Sequence, residues 1–179
     1  MKKLSLLFII ISLTLSAYAA MRLTDWQIVD EIYSITFKTK GAKGSFKGLK
    51  GTIHFEEANL VQSSFNVAVE VNTINTGIGL KNKHALAEDF FDAAHYPHIH
   101  FSSSTISKSD SGFVVSGPLT IKGITKEITF PFSFERAAHN GVFKGTFEIN
   151  RNEYNLNKKG IGEIVKIDLH VPVKNDTIQ

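Results

Sequence analysis

The sequence predicts an all-β protein with one core. Two observations carry that prediction. Apolar and polar residues alternate with period two through most of the chain, and glycine- and asparagine-bearing turn signals separate the alternating stretches. A third bounds it: 179 residues with no repeat and no proline-rich linker fit a single domain.

The chain opens differently. Lys2 and Lys3 precede an apolar run from Leu4 to Leu15, and Ala17-Tyr18-Ala19 supplies the small-x-small pattern of a cleavage site. Residues 1–19 are therefore expected to be a signal peptide, leaving a domain over residues 20–179 that is periplasmic or secreted. The run is shorter than the roughly 20 apolar residues of a membrane span, so the processed chain is not expected to cross a membrane. Removing it takes Lys2 and Lys3 and lowers the formal charge from +3 to +1. Lys38, Lys40, Lys43, Lys47 and Lys50 cluster in a glycine-rich region that reads as a turn they solvate. No concentrated basic face is left for a nucleic acid. The chain has no cysteine, which excludes disulfides, thiolate metal sites and a thiol nucleophile. An exported domain of this kind must hold itself by core burial.

The strands follow in order. Tyr33, Ile35 and Phe37 alternate with polar residues, then Ile53 and Phe55, then Phe65, Val67, Val69 and Val71. Ile99 and Phe101 come next, then Phe113 and Val115, and Leu119 and Ile121 lead through Lys122-Gly123 into Ile128, Phe130, Phe132 and Phe134. Phe143, Phe147 and Ile149 make another, and Val165 to Val173 the last. Turns are expected at Lys40-Gly41, Lys43-Gly44, Ser109 to Gly112 and Lys158-Lys159-Gly160, with a hairpin at Asn140-Gly141. Residues 80–95 break the pattern. They have no β-branched residue and are rich in Ala, Glu and Asp, so they predict one or two short helices on a crossover, ended by Tyr96-Pro97.

Eight or nine one-sided antiparallel strands must bury one face, as a sandwich or as a closed barrel. Nearly all the phenylalanines after the leader fall at inward positions. An eight-stranded barrel holds either side chains alone or one small ligand, and the pattern is consistent with both a dry aromatic core and an aromatic-lined cavity.

Sites for chemistry are sparse. His95, His98 and His100 lie close together, but no third convergent ligand can be placed, so no metal is expected. Neighbouring acids such as Glu56-Glu57 point to opposite faces of a strand and do not converge as paired-acid catalysis requires. No nucleophile elbow or phosphate loop occurs. His84 with Asp89 or Asp92 is the one acid–base set on the irregular segment. Arg151 reads as a surface or end-of-strand arginine that could also meet an anionic head group. No catalytic residue is assigned, and no cofactor is expected.

Three segments resemble the YceI-like family of exported polyisoprenoid-binding proteins. They are Phe46-Lys47-Gly48 with Gly51-Thr52-Ile53-His54-Phe55; Ile74-Asn75-Thr76-Gly77 through Asp89-Phe90-Phe91-Asp92 to Tyr96-Pro97-His98-Ile99-His100-Phe101; and Val115-Ser116-Gly117-Pro118-Leu119-Thr120-Ile121-Lys122-Gly123-Ile124-Thr125-Lys126. The resemblance implies a lipocalin-like eight-stranded antiparallel barrel that binds, stores or transports a long-chain lipid, such as a polyisoprenoid, an isoprenoid quinone, a polyprenyl phosphate or a fatty amide. Phe37, Phe55, Phe65, Phe101, Phe130, Phe132, Phe143 and Phe147 are the expected cavity lining, with Lys81 and His84 at the mouth. The family's crossover usually reads Arg-Asp-x-His-Leu. Here it is Lys81-Asn82-Lys83-His84-Ala85, so a planar bidentate donor becomes a point charge. The competing expectation is a dry-cored envelope stress or interaction barrel. Partners in view are a second copy pairing through an exposed edge and an envelope or respiratory-chain protein.

Overall fold

The computed structural model describes residues 24–30 and 32–175; the expected signal peptide lies outside them. Eleven strands run β1 (Asp25–Ile28), β2 (Ser34–Thr39), β3 (Ala42–Phe46), β4 (Lys50–His54), β5 (Ser64–Glu70), β6 (His98–Ser102), β7 (Thr105–Ser109), β8 (Gly112–Ile121), β9 (Ile124–Ala137), β10 (Asn140–Asn150) and β11 (Ile164–Lys174). Among the described residues one α-helix, α1 (Gly79–Leu86), lies on the crossover between β5 and β6.

All pairings are antiparallel, and eight strands close a ring in the order β1, β4, β5, β6, β8, β9, β10, β11 and back to β1. The barrel, not the sandwich, is the solution. Two long strands each serve two neighbours on one side. β11 pairs β1 near Val173 and β2 over Lys166 to His170, and β8 pairs β7 over its first half and β6 near Leu119. The β2–β3 hairpin thus continues the wall where short β1 does not reach. Its far edge is tied to the crossover by Ser45 and Asn75, whose N–H groups each donate to the other's carbonyl at 2.9 Å. The β9–β10 ladder ends at Phe132 and Gly145, just before Pro131, which has no N–H to offer.

The alternating runs become strands as expected, with three additions and two corrections. Short β1, β3 and β7 carry too few apolar residues to show period two. Lys43-Gly44 is not a turn: it lies inside β3, because a Cβ on Gly44 would meet the Asn75 carbonyl at 2.5 Å and the Phe37 ring at 2.7 Å. The hairpin expected at Asn140-Gly141 turns two residues earlier, at Ala138-His139, with Ala138 at φ 51°. Gly141 instead sits under Phe134, where a Cβ would come within 2.4 Å of the ring. Both glycines are there for close approach. Of the one or two short helices expected over residues 80–95 the crossover has one, α1, and residues 87–95 form turns held by Asp92, whose carbonyl accepts from the His95 and Tyr96 amides.

Candidate functional site

Strand direction sorts the inward side chains into two ends. At the end holding β1 and the β9–β10 hairpin, the rings pack against one another. Phe55 is completely buried there, with Phe113, Phe132, Phe134 and Phe143 around it at centroid distances of 5.1–5.6 Å. Trp26 caps the group edge-on to Phe134 at 5.0 Å and donates from its indole Nε1 to the Phe55 carbonyl at 3.0 Å. The Arg136 guanidinium lies 5.1 Å over the Trp26 ring. This end is closed.

Above that floor the barrel is hollow. A cavity of about 400 Å³ runs toward α1 and the β10–β11 connection, within the roughly 300–1,000 Å³ range of ligand pockets. Its walls are apolar: Phe37, Phe65, Phe101, Phe130, Phe132, Phe143 and Phe147, with Ile99, Leu119, Ile121, Ile149, Ile167 and Leu169. Phe130 and Phe147 stack at 4.5 Å and so bridge the wall where the β9–β10 ladder has ended. Phe147, Ile149, Ile167 and Leu169 point inward yet remain half-buried, because they border the cavity. Seven of the eight phenylalanines expected to line a cavity do border it. Phe55 does not. It is the hub of the floor, sealed beneath Phe65 and Phe132.

The exposed lining residues Gly41, Lys81 and His84 mark where the cavity opens. Lys81 and His84 stand on α1, whose only buried residue is Ala85. Asn82, at the position where the resemblance implies aspartate, accepts from the Thr76 amide at 2.8 Å and the Thr76 hydroxyl at 2.6 Å, so an amide oxygen suffices to tie the helix to its approach loop. Opposite α1, Lys158 binds Asp89 at 2.7 Å, and that ammonium holds the Asp89 carboxyl below its ordinary range. Asp92 binds His95 at 2.8 Å. With both carboxylates engaged elsewhere, no acid among the described residues is hydrogen-bonded to His84, and the acid–base set considered from the sequence is not assembled. His98 and His100 face solvent on β6.

Arg151 is the residue sequence reasoning placed wrongly. It is buried, at 5% exposure, and donates to the carbonyls of Gly162 (2.8 Å), Lys158 (2.9 Å), Ile161 (2.8 Å) and Leu156. It holds the β10–β11 connection over the cavity as a folded loop. The aromatic and aliphatic residues Phe46, Phe90, Phe91 and Leu156, which complete the upper wall, were also missed. Asp89-Phe90-Phe91-Asp92, apolar at its centre and acidic at both ends, was the legible hint of an inward-facing turn.

Residues 26–173 match the model of the YceI-like domain. The chain belongs to that family. Among curated relatives, a UPF0312 protein of Vibrio parahaemolyticus is 29% identical over 136 residues, 72% of each chain. One from Yersinia enterocolitica is 29% identical over 61% of this chain and 58% of its own length, so the match leaves over two-fifths of that relative unspanned. Among solved structures, Burkholderia cenocepacia BcnA superposes with a TM-score of 0.77 at 25% identity, covering 82% of this chain and 99% of that one. A Campylobacter jejuni YceI protein gives 0.68 at 22%, covering 76% and 86%. A polyisoprenoid binding domain from Saccharophagus degradans, implicated in plant cell wall breakdown, gives 0.66 at 15%, covering 86% and 99%. The last two share the YceI-like fold. No helix among the described residues is long and apolar enough to cross a membrane.

Proposed function

We propose that this YceI-like protein is a non-enzymatic carrier or store for one long-chain apolar lipid in the cell envelope: a polyisoprenoid, an isoprenoid quinone or a fatty amide. The observation that carries the reading is the hollow half of the barrel, a 400 Å³ cavity with an almost wholly apolar wall and one open end. Burial contributes about 0.8 kcal/mol per methylene, so recognition of such a guest is led by its tail. The chain threads from the mouth to the phenylalanine floor, and Lys81 and His84 meet the polar end. A dry-cored barrel would bury Phe147, Ile149, Ile167 and Leu169 fully, and their partial exposure weighs against that alternative. The Saccharophagus neighbour is a polyisoprenoid binding domain on the same fold, which is consistent with this reading. Export through residues 1–19 belongs to the same proposal, because it would bring the barrel to the membranes that hold such lipids.

Extraction of the purified protein with organic solvent, followed by mass spectrometry, tests the reading. A long-chain apolar lipid in near-stoichiometric amount is expected. Protein that is repeatedly empty and takes up no added isoprenoid overturns it.

A further inference from the structure

The rim around the cavity mouth combines two features, where the closed end, which exposes Val61 in the loop after Glu56 and Glu57, has only the first. The first is exposed apolar surface. Ile78 and Leu80, just before and within α1, are 49% and 64% exposed, and Tyr96 and Ile164 lie exposed at the same end. The second is charge. Lys40, Lys43, Lys81, Lys83, Lys158 and Lys159 stand on the β2–β3 turn, α1 and the β10–β11 connection, and outnumber Glu88, Asp89, Glu153 and Glu163. Asp89 and Lys158 pair and cancel each other, which leaves five lysines against three acids. At the closed end the balance reverses: Asp25, Glu56, Glu57, Asp110 and Glu135 outnumber Lys108, Arg136, Lys174 and Lys144, the last paired with Glu135. The barrel is thus electrically polar along its axis, positive where it opens.

Resting on the lipid-carrier reading above, we infer that the mouth face docks on an anionic bilayer surface. Ile78 and Leu80 enter the headgroup layer, while the lysines meet lipid phosphates. A long apolar chain has almost no solubility in water, so a mouth pressed against the bilayer lets it pass into the cavity without crossing solvent. Helix α1 presents Leu80 beside Lys81 and Lys83 on a surface where only Ala85 is buried. A basic side chain near an anionic membrane strengthens binding by roughly five-fold.

Co-sedimentation of the purified protein with vesicles tests the docking. Vesicles of phosphatidylethanolamine with phosphatidylglycerol are expected to bind it, vesicles of phosphatidylcholine far less, and added salt should weaken the former. Lys83→Glu with Lys159→Glu should weaken anionic binding by roughly 25-fold or more, and Leu80→Asp should weaken it at every salt concentration. Asp110→Lys at the closed end should leave it within about two-fold. Circular dichroism checks that each variant is folded. Equal sedimentation with both vesicle types, or full binding by the folded Lys83/Lys159 or Leu80 variants, overturns the docking. If no vesicle binds but the extracted protein still yields lipid, the docking falls, the carrier reading stands, and the rim is left for a protein partner. Protein that yields no extractable lipid and takes up no added isoprenoid overturns the carrier reading itself.

Discussion

The two ends of this barrel are built from the same residue type and do opposite things. At the closed end phenylalanine fills space: Phe55 touches five other rings and sees no solvent. At the open end phenylalanine encloses space: Phe37 and Phe147 face a void that their neighbours do not fill. What separates them is the route of the chain. At the closed end Trp26 of β1 and Phe55, just past β4, bring large rings across the barrel axis. At the open end the crossover and the β10–β11 connection arch over the top and leave the centre empty. Where residues close the floor, burial stabilises the fold; where they line the void, part of the available burial is left for a guest.

The largest expected effect tests that division directly. Phe55→Ala removes a sealed ring and should cost about 3–5 kcal/mol, read from denaturant unfolding. Phe147→Ala removes a ring with one face on the cavity. It should cost about 1–2 kcal/mol, while lowering the uptake of a fluorescent isoprenoid. Equal losses in the two variants would erase the distinction between floor and wall.

Next in size is the loop that roofs the cavity. Arg151 uses the planar fork of its guanidinium on four carbonyls, and a lysine ammonium cannot reach them all. Arg151→Lys should destabilise by about 2–3 kcal/mol and speed amide exchange over residues 156–162. If the loss is confined to lipid affinity with stability unchanged, Arg151 is a head-group contact after all.

This residue also shows what could be read before the structure was known. Strand alternation identified the long strands, because each has one wet and one apolar face. It also picked the inward phenylalanines, since period two depends only on local geometry. It could not separate floor from wall, because whether an inward ring meets another ring or a void depends on which strands cross the axis. Glycine misled for a related reason. Gly44 and Gly141 read as turn formers, yet each gives room to an aromatic ring on the neighbouring strand, Phe37 and Phe134. Arg151 was illegible because its partners are backbone carbonyls, which every residue has.

A third test adds volume. Phe132→Trp enlarges a ring already wedged between Phe55, Phe65, Phe113 and Phe143, and overpacking should cost about 1–3 kcal/mol. Ile167→Trp, on the cavity wall, should be accepted with little loss of stability and should compete with lipid for space. If Ile167→Trp destabilises as much as Phe132→Trp and does not reduce uptake, the upper barrel is as full as the floor.

The smallest effect concerns the crossover beside the mouth. Asp92 holds a left-handed backbone at φ 49°, an arrangement that costs energy for a non-glycine residue. Its hydrogen bond to His95, with the charge attraction that follows, raises the His95 pKa above its ordinary value of about 6.5. A raised folded-state pKa means that the pair's stabilisation is complete below about pH 6.5 and is lost as pH climbs through the folded value. The His95 ring is largely exposed, so salt screens the contact. Amide exchange at His95 and Tyr96, whose N–H groups both donate to the Asp92 carbonyl, should therefore quicken as pH rises above about 6.5, beyond the intrinsic rise. It should do so less at high salt, and His95→Gln should flatten the excess. At the closed end β1 and β4 are each paired on either side. Amides of β1 and β4 should show no matching step. If they do, the open end is no softer than the floor, and the contrast between the two ends lies in volume alone.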